Sequence, residues 1–93
     1  MTEKDEVQKF QVLINKEALK FLETLDNYKY EHLIKEIFSL EDNPLPVGCT
    51  KLNVLHGYRI KWSYYRILYK IDFKNKIVII YKVGHRKDIY RKK

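Results

Sequence analysis

The chain has 93 residues, 45% hydrophobic and 33% charged, with a formal net charge of +7 and one cysteine. Such a length supports one modest core, and this apolar share excludes wholesale disorder. The lone Cys49 excludes an internal disulfide and a Cys-rich zinc site, and no apolar run approaches the ~20 residues that cross a bilayer.

Lys9–Ile14 is short, apolar and partly β-branched, which predicts a strand. Asn15 is placed to cap a helix. After it, Ala18, Phe21, Leu22 and Leu25 form one apolar stripe at i, i+3, i+4 and i+7. Asp26-Asn27 breaks that helix and caps the next, where Tyr30, Leu33, Ile34, Ile37 and Phe38 repeat the spacing. The two form a helical hairpin. Glu41–Thr50 holds Asn43-Pro44, Pro46 and Gly48 and is predicted to be a loop.

Strands follow. Tyr58-Arg59-Ile60-Lys61-Trp62 alternates apolar and basic. Ser63-Tyr64 is a short joint, and Tyr65–Ile71 is rich in aromatic and branched residues. Asp72–Lys76 is turn-like, and Ile77–Val83 is almost wholly apolar, so an antiparallel hairpin is expected. The fold class is α+β: one domain over 1–93, in the order β-α-α-β-β-β, with the helical hairpin on one face of an antiparallel sheet. The tail from Arg86 to Lys93 looks too short and too charged for a core element, and Met1–Asp5 is expected to fray. Because the charged N-terminus lacks the apolar stretch of a signal peptide, a soluble cytoplasmic protein without a membrane partner is expected.

Charge is unevenly placed. Residues 1–50 sum to −4 and residues 51–93 to +11, with Asp72 and Asp88 the only acids in the second half. A segment so basic points to a polyanion, with nucleic acid first. A strand period of two puts Arg59 and Lys61 on one side, away from the helices. Arg66 opens the next strand and Arg86 follows the last, so four cations from three strands are expected to converge. Six of eight tyrosines also lie in the basic half. Most are expected in the core, whereas Tyr90, in the charged tail, suits an unstacked base. His85, just past the last strand, is a candidate for proton transfer; His32, His56 and Cys49 have ordinary structural readings. No spacing supports a metal site, so no metal or other cofactor is expected. Any reaction must use Arg, Lys, His and Tyr.

The segments Tyr58-Arg59-Ile60-Lys61, Tyr65–Asp72 and Val83-Gly84-His85-Arg86-Lys87-Asp88-Ile89-Tyr90, in this order, resemble the RelE/ParE toxin superfamily, closest to its RelE branch. The resemblance implies a toxin of a type II toxin–antitoxin system that cleaves mRNA in the ribosomal A site without a metal. The ribose 2′-OH would attack the adjacent phosphate, leaving a 2′,3′-cyclic phosphate and a 5′-OH. By the same resemblance Arg66 and Arg86 stabilise the transition state, and Arg59 and Lys61 clamp the RNA backbone, with Lys87 and Arg91 adding contacts. Tyr90 stacks on a base or moves a proton, and His85 is the candidate acid. The general base is open among Lys61, His85 and Tyr90. The implied partners are a cognate antitoxin, the ribosome and mRNA, and the free toxin is expected to be a monomer.

Two departures stand out. Ser63-Tyr64 occupies the place of the family's usual Gly-Asp, and no glutamate lies in the basic half. The alternatives are a ParE-like inhibitor of DNA gyrase and a non-catalytic RNA- or ribosome-binding module.

Overall fold

The computed structural model describes residues 9–90. The predicted N-terminal fraying and the contact assigned to Arg91 lie outside them. The chain runs β1 (Gln11–Ile14), α1 (Lys16–Glu23), α2 (Asn27–Phe38), a 3-10 turn (Ser39–Glu41), β2 (Thr50–Lys51), β3 (Tyr58–Trp62), β4 (Tyr65–Asp72) and β5 (Ile77–His85).

Both helix starts follow from their caps. Asn15 accepts the Ala18 N–H at 2.8 Å, and Asp26 accepts that of Lys29 at 3.0 Å. Each carboxamide or carboxylate satisfies an otherwise orphaned donor. α1 has eight residues, too few to persist alone in water. Its stability comes from Ala18 and Leu22, which are buried against the sheet together with Leu33 and Ile37 of α2 and Ile60, Ile67, Val78 and Ile80 of the strands. Each large aliphatic side chain buried in this way contributes ~1.5–3 kcal/mol. Phe38, predicted to end the apolar stripe, is exposed, because the helix stops there and its ring lies at the surface.

The expected helical hairpin on a sheet is present, with two differences. The sheet has five strands in the order β1-β5-β4-β3-β2, since Thr50–Lys51 adds a short edge strand antiparallel to β3. In addition, β1 runs parallel to β5, with Gln11 opposite Ile77 and Ile14 opposite Ile80. The two helices carry the chain back across one face, and β1 therefore ends beside the last strand in the same direction. The other pairs are antiparallel.

The tail corrects a third expectation. Ile89 is 1% exposed and Leu68, on the helix-free side of β4, is 0% exposed. Residues 86–90 turn back over that side of the sheet. Gly84 permits the approach, since a Cβ there would stand 3.1 Å from Ile89 Cδ1. One apolar residue among charged neighbours thus covers part of the open face.

Candidate nucleic-acid interface

The alternation of β3 places Arg59 and Lys61 on the helix-free face, about 7 Å apart along the strand. Lys61 lies directly opposite Arg66 in the β3–β4 ladder, and Arg59 lies opposite Leu68. Three of the four predicted cations therefore share one surface.

Arg59 sits in a cleft of about 610 Å³ that is also lined by Thr50, Tyr81, Lys82, Ile89 and Tyr90. Its guanidinium donates through Nη1 to the Tyr90 hydroxyl at 3.0 Å and through Nη2 to Thr50 Oγ1 at 3.3 Å. The Nε is buried with no hydrogen-bond partner. Thr50 and Tyr81 belong to this site but were not legible as functional residues. Thr50 comes from the short edge strand. Tyr81 comes from a bulge: Leu68 pairs with Lys82 and Tyr69 with Ile80, so Tyr81 has no opposite residue. Asn15 holds the bulge, its backbone N–H donating to the Ile80 carbonyl and its side-chain amide to that of Tyr81, both at 2.9 Å. The Tyr81 hydroxyl donates to the His56 carbonyl at 2.8 Å. Burial raises its pKa above the ordinary tyrosine value, and neighbouring Tyr90 adds to the rise.

The bulge also moves His85. Strict alternation from Ile80 would put residue 85 on the open face. With one extra residue inserted, Val83 and His85 instead pair with Ile67 and Tyr65 and share their side of the sheet. His85 is thus the last residue of β5 rather than a residue beyond it. Its ring meets Tyr65 edge-on at 5.8 Å and stacks with Tyr64 at 5.9 Å. Its Nδ1 accepts the Lys87 N–H at 3.2 Å.

Arg86 and Arg66 meet at the β3–β4 turn. The Arg86 N–H donates to the Tyr64 carbonyl at 2.7 Å, and its guanidinium lies over the Tyr64 ring at 5.0 Å. Arg66 donates through Nη1 to the carbonyls of Ser63 at 3.1 Å and Tyr65 at 2.8 Å. Ser63 takes φ 57° there, so the turn needs a left-handed residue, and Arg66 ties it down. Lys87 is exposed beside them.

Among the described residues the ion pairs are Lys9–Asp42, Lys29–Asp26 and His32–Glu36, and none involves Arg59, Lys61, Arg66 or Arg86. Among the described residues the Arg59 and Arg66 guanidiniums donate to neutral hydroxyls and carbonyls, and that of Arg86 lies over the Tyr64 ring. Such partners orient a cation without neutralising it, so its field is available to an incoming anion. No group of three His, Cys, Asp or Glu among the described residues could hold a metal ion, and no helix there is long and apolar enough to cross a membrane.

Fold and surface together define a small, basic α+β protein with a cation-lined sheet face. Residues 12–90 match the family model described as the ParE toxin of the type II toxin–antitoxin system parDE. The chain belongs to that family, within the RelE/ParE superfamily of toxins. It is 30% identical over 87 residues to the RelE1 protein of Methanocaldococcus jannaschii, an alignment covering 89% of this chain and 97% of that one. Among solved structures it resembles the archaeal RelE–RelB complex of Pyrococcus horikoshii OT3, with a TM-score of 0.74 and 27% identity, covering 85% of this chain and 97% of that one. It also resembles the RelBE2 toxin–antitoxin complex of Mycobacterium tuberculosis, with a TM-score of 0.73 and 27% identity over 84% and 99% of the two chains.

Proposed function

We propose that this toxin is a ribosome-dependent mRNA endonuclease held in check by a cognate antitoxin. The observation that carries the reading is the pairing of Lys61 with Arg66 across adjacent strands, with Arg59 on the same face and neutral partners for the Arg59 and Arg66 guanidiniums among the described residues.

The chemistry is attack of a ribose 2′-OH on the adjacent phosphorus. The 2′-oxygen loses its proton, the P–O5′ bond breaks, and the leaving oxygen gains a proton to become a 5′-OH. Negative charge grows on the non-bridging oxygens, and cations fixed in advance stabilise it more than the ground state. Arg66 and Arg86 take that role, while Arg59 and Lys61 hold the flanking phosphates, with Lys87 at the rim. Lys61 and Tyr90 are the proton carriers this geometry favours. His85 is less well placed, because the bulge turns it toward Tyr65 and its Nδ1 is engaged by Lys87. No step calls for a metal.

Antitoxin binding is supported by solved structures of similar toxins, several of which are complexes with RelB or toxin–antitoxin pairs. The parDE description of the family model keeps a gyrase-directed action as the second reading; the cation-lined face favours the nuclease.

The test is cleavage of mRNA on programmed ribosomes, mapped by primer extension, for the wild type and Arg66→Ala. A-site cuts bearing 2′,3′-cyclic ends, lost in the variant, are expected. Intact mRNA with active translation controls would move the assignment to gyrase inhibition or to binding alone.

A further inference from the structure

Rings follow one another without a break from α2 to the end of β5. His32 stacks on Trp62 with centroids 3.9 Å apart and planes at 19°. Trp62 is near-parallel to Tyr65 at 6.3 Å, Tyr65 meets His85 at 5.8 Å, and His85 stacks with Tyr64 at 5.9 Å. The Arg86 guanidinium over Tyr64 ends the series.

The members differ in what they do for the fold. Trp62 and Tyr65 pack against the core cluster, which fixes their planes. Tyr64 is 57% exposed at a two-residue turn, and its ring is not part of that cluster. The two ends also differ in charge. At the α2 end Glu31 and Glu36 are offset in part by Lys35, while Lys61, Arg66, Arg86 and Lys87 gather around the turn, with Asp88 the acid beside them. A flat, negatively charged polymer is therefore drawn to the Tyr64 end.

We propose that Tyr64, stacked with His85 and overlaid by the Arg86 guanidinium, is a stacking site for one base of single-stranded RNA, which takes the exposed part of the ring together with that guanidinium. It lies beside the face where Lys61 and Arg66 meet the phosphate. The inference rests on the reading of that face as an mRNA site and adds a second contact to it, one that reads a base plane. Stacking on an aromatic ring tolerates any base, since each has a π-face. The site therefore grips the strand without selecting a sequence.

Trp62 is the chain's only tryptophan and belongs to the same ring series, so its emission reports occupancy. The experiment titrates the protein, without ribosomes, with a short 2′-O-methyl oligouridylate, which cannot be cut by 2′-OH attack. A matched oligomer lacking its bases is titrated in parallel. The wild type is expected to change its emission and to bind the intact oligomer roughly tenfold more tightly than the abasic one. Tyr64→Leu should lose that preference, and Tyr64→Phe should keep it. Phe73→Leu, at an exposed ring on a different turn, should behave as wild type.

Equal affinity of the wild type for the two oligomers overturns the proposal, even if Tyr64→Leu fails to fold. So does an unchanged preference in Tyr64→Leu. Ribosomal cleavage measured alongside separates the two ideas. Cleavage without base preference removes the stacking site and leaves the nuclease. Base preference without cleavage removes the nuclease and leaves the stacking site.

Discussion

The hydroxyl of Tyr90 accepts a hydrogen bond from Arg59 Nη1 at 3.0 Å, across 31 positions of sequence. This bond is the polar half of a closure whose apolar half is Ile89 against Gly84. Together they fold the tail over the basic face and bring a tyrosine from the turn segment to an arginine of β3.

Replacing that hydroxyl separates stability from chemistry. The bond is solvent-exposed, so Tyr90→Phe should cost less than about 1 kcal/mol of stability. If the hydroxyl moves a proton, cleavage should fall about a hundredfold. Thermal melting and primer-extension cleavage rates measure the two effects, and an unchanged rate would remove Tyr90 from proton transfer.

Arg66 ties down the β3–β4 turn, and on the proposed function it also stabilises the transition state; one substitution can divide the two. Arg66→Lys retains a charge but cannot reproduce the guanidinium that bonds the Ser63 and Tyr65 carbonyls through one Nη. Arg66→Ala removes both. Cleavage should drop by a factor of about 100–1,000 in Arg66→Ala, with Arg66→Lys intermediate. Ribosome binding, measured by co-sedimentation, should persist in both.

Ile89→Ala tests whether the tail is part of the fold. Truncating this buried side chain and uncovering Leu68 should cost about 2 kcal/mol, the low end for a core aliphatic because the site lies near the surface. Denaturant titration would show it. A negligible loss would mean the tail merely rests on the sheet.

Gly57 is the position where a side chain is least tolerable. Its φ is +100°, and a Cβ would collide with the Tyr69 carbonyl oxygen. Gly57→Ala should therefore lose at least about 2 kcal/mol and melt roughly 10 °C lower. The effect should be absent in Gly48→Ala only as far as space is concerned, since Gly48 meets nothing within 4 Å but also has positive φ, +96°. The difference in melting temperature between the two variants isolates the collision from the backbone strain.

Stability should fall in alkali. Burial, with Cys49 nearby, pushes the Tyr69 hydroxyl above its ordinary 10.0, and Tyr81 is raised as well. Above that ordinary value the unfolded chain loses protons that the folded chain keeps, so rising pH favours unfolding. The stabilisation is whole below pH ~10 and is lost as pH climbs toward the folded values. Tyr69→Phe removes the hydrogen bond to the Pro44 carbonyl, 2.7 Å. It should cost about 1 kcal/mol at neutral pH and make the loss in alkali less steep. Circular dichroism against pH would register both.

Much of this was written in local chemistry. Asn15 and Asp26 announced the helices, and the alternation of residues 58–62 placed Arg59 and Lys61 together before any tertiary contact was known. Asp72 read as a turn residue, and it accepts both the N–H and the side-chain amide of Asn75. What stayed hidden depends on partners distant in sequence. Thr50–Lys51 has too few residues for a period and is a strand only because β3 lies beside it. The direction of β1 is set by where the helical hairpin delivers the chain. His85 changed faces because of one unpaired residue at Tyr81, and no composition signal marks a bulge. Ile89 was masked by its charged neighbours, while Tyr64 looked like a mere joint.

The parallel partnership of β1 with β5 bears on when this toxin becomes dangerous. A chain made from its N-terminus produces β1 first and its neighbour β5 last among the described strands. β1 and α1 both pack on β5, so neither has its native support while synthesis is under way. Contacts this distant in sequence are slow to close. The basic face, bounded by the tail that follows β5, is completed last of all. Assembly of the surface is thereby postponed until β5 and the turn after it have been made, a delay written into strand order rather than into any inhibitor.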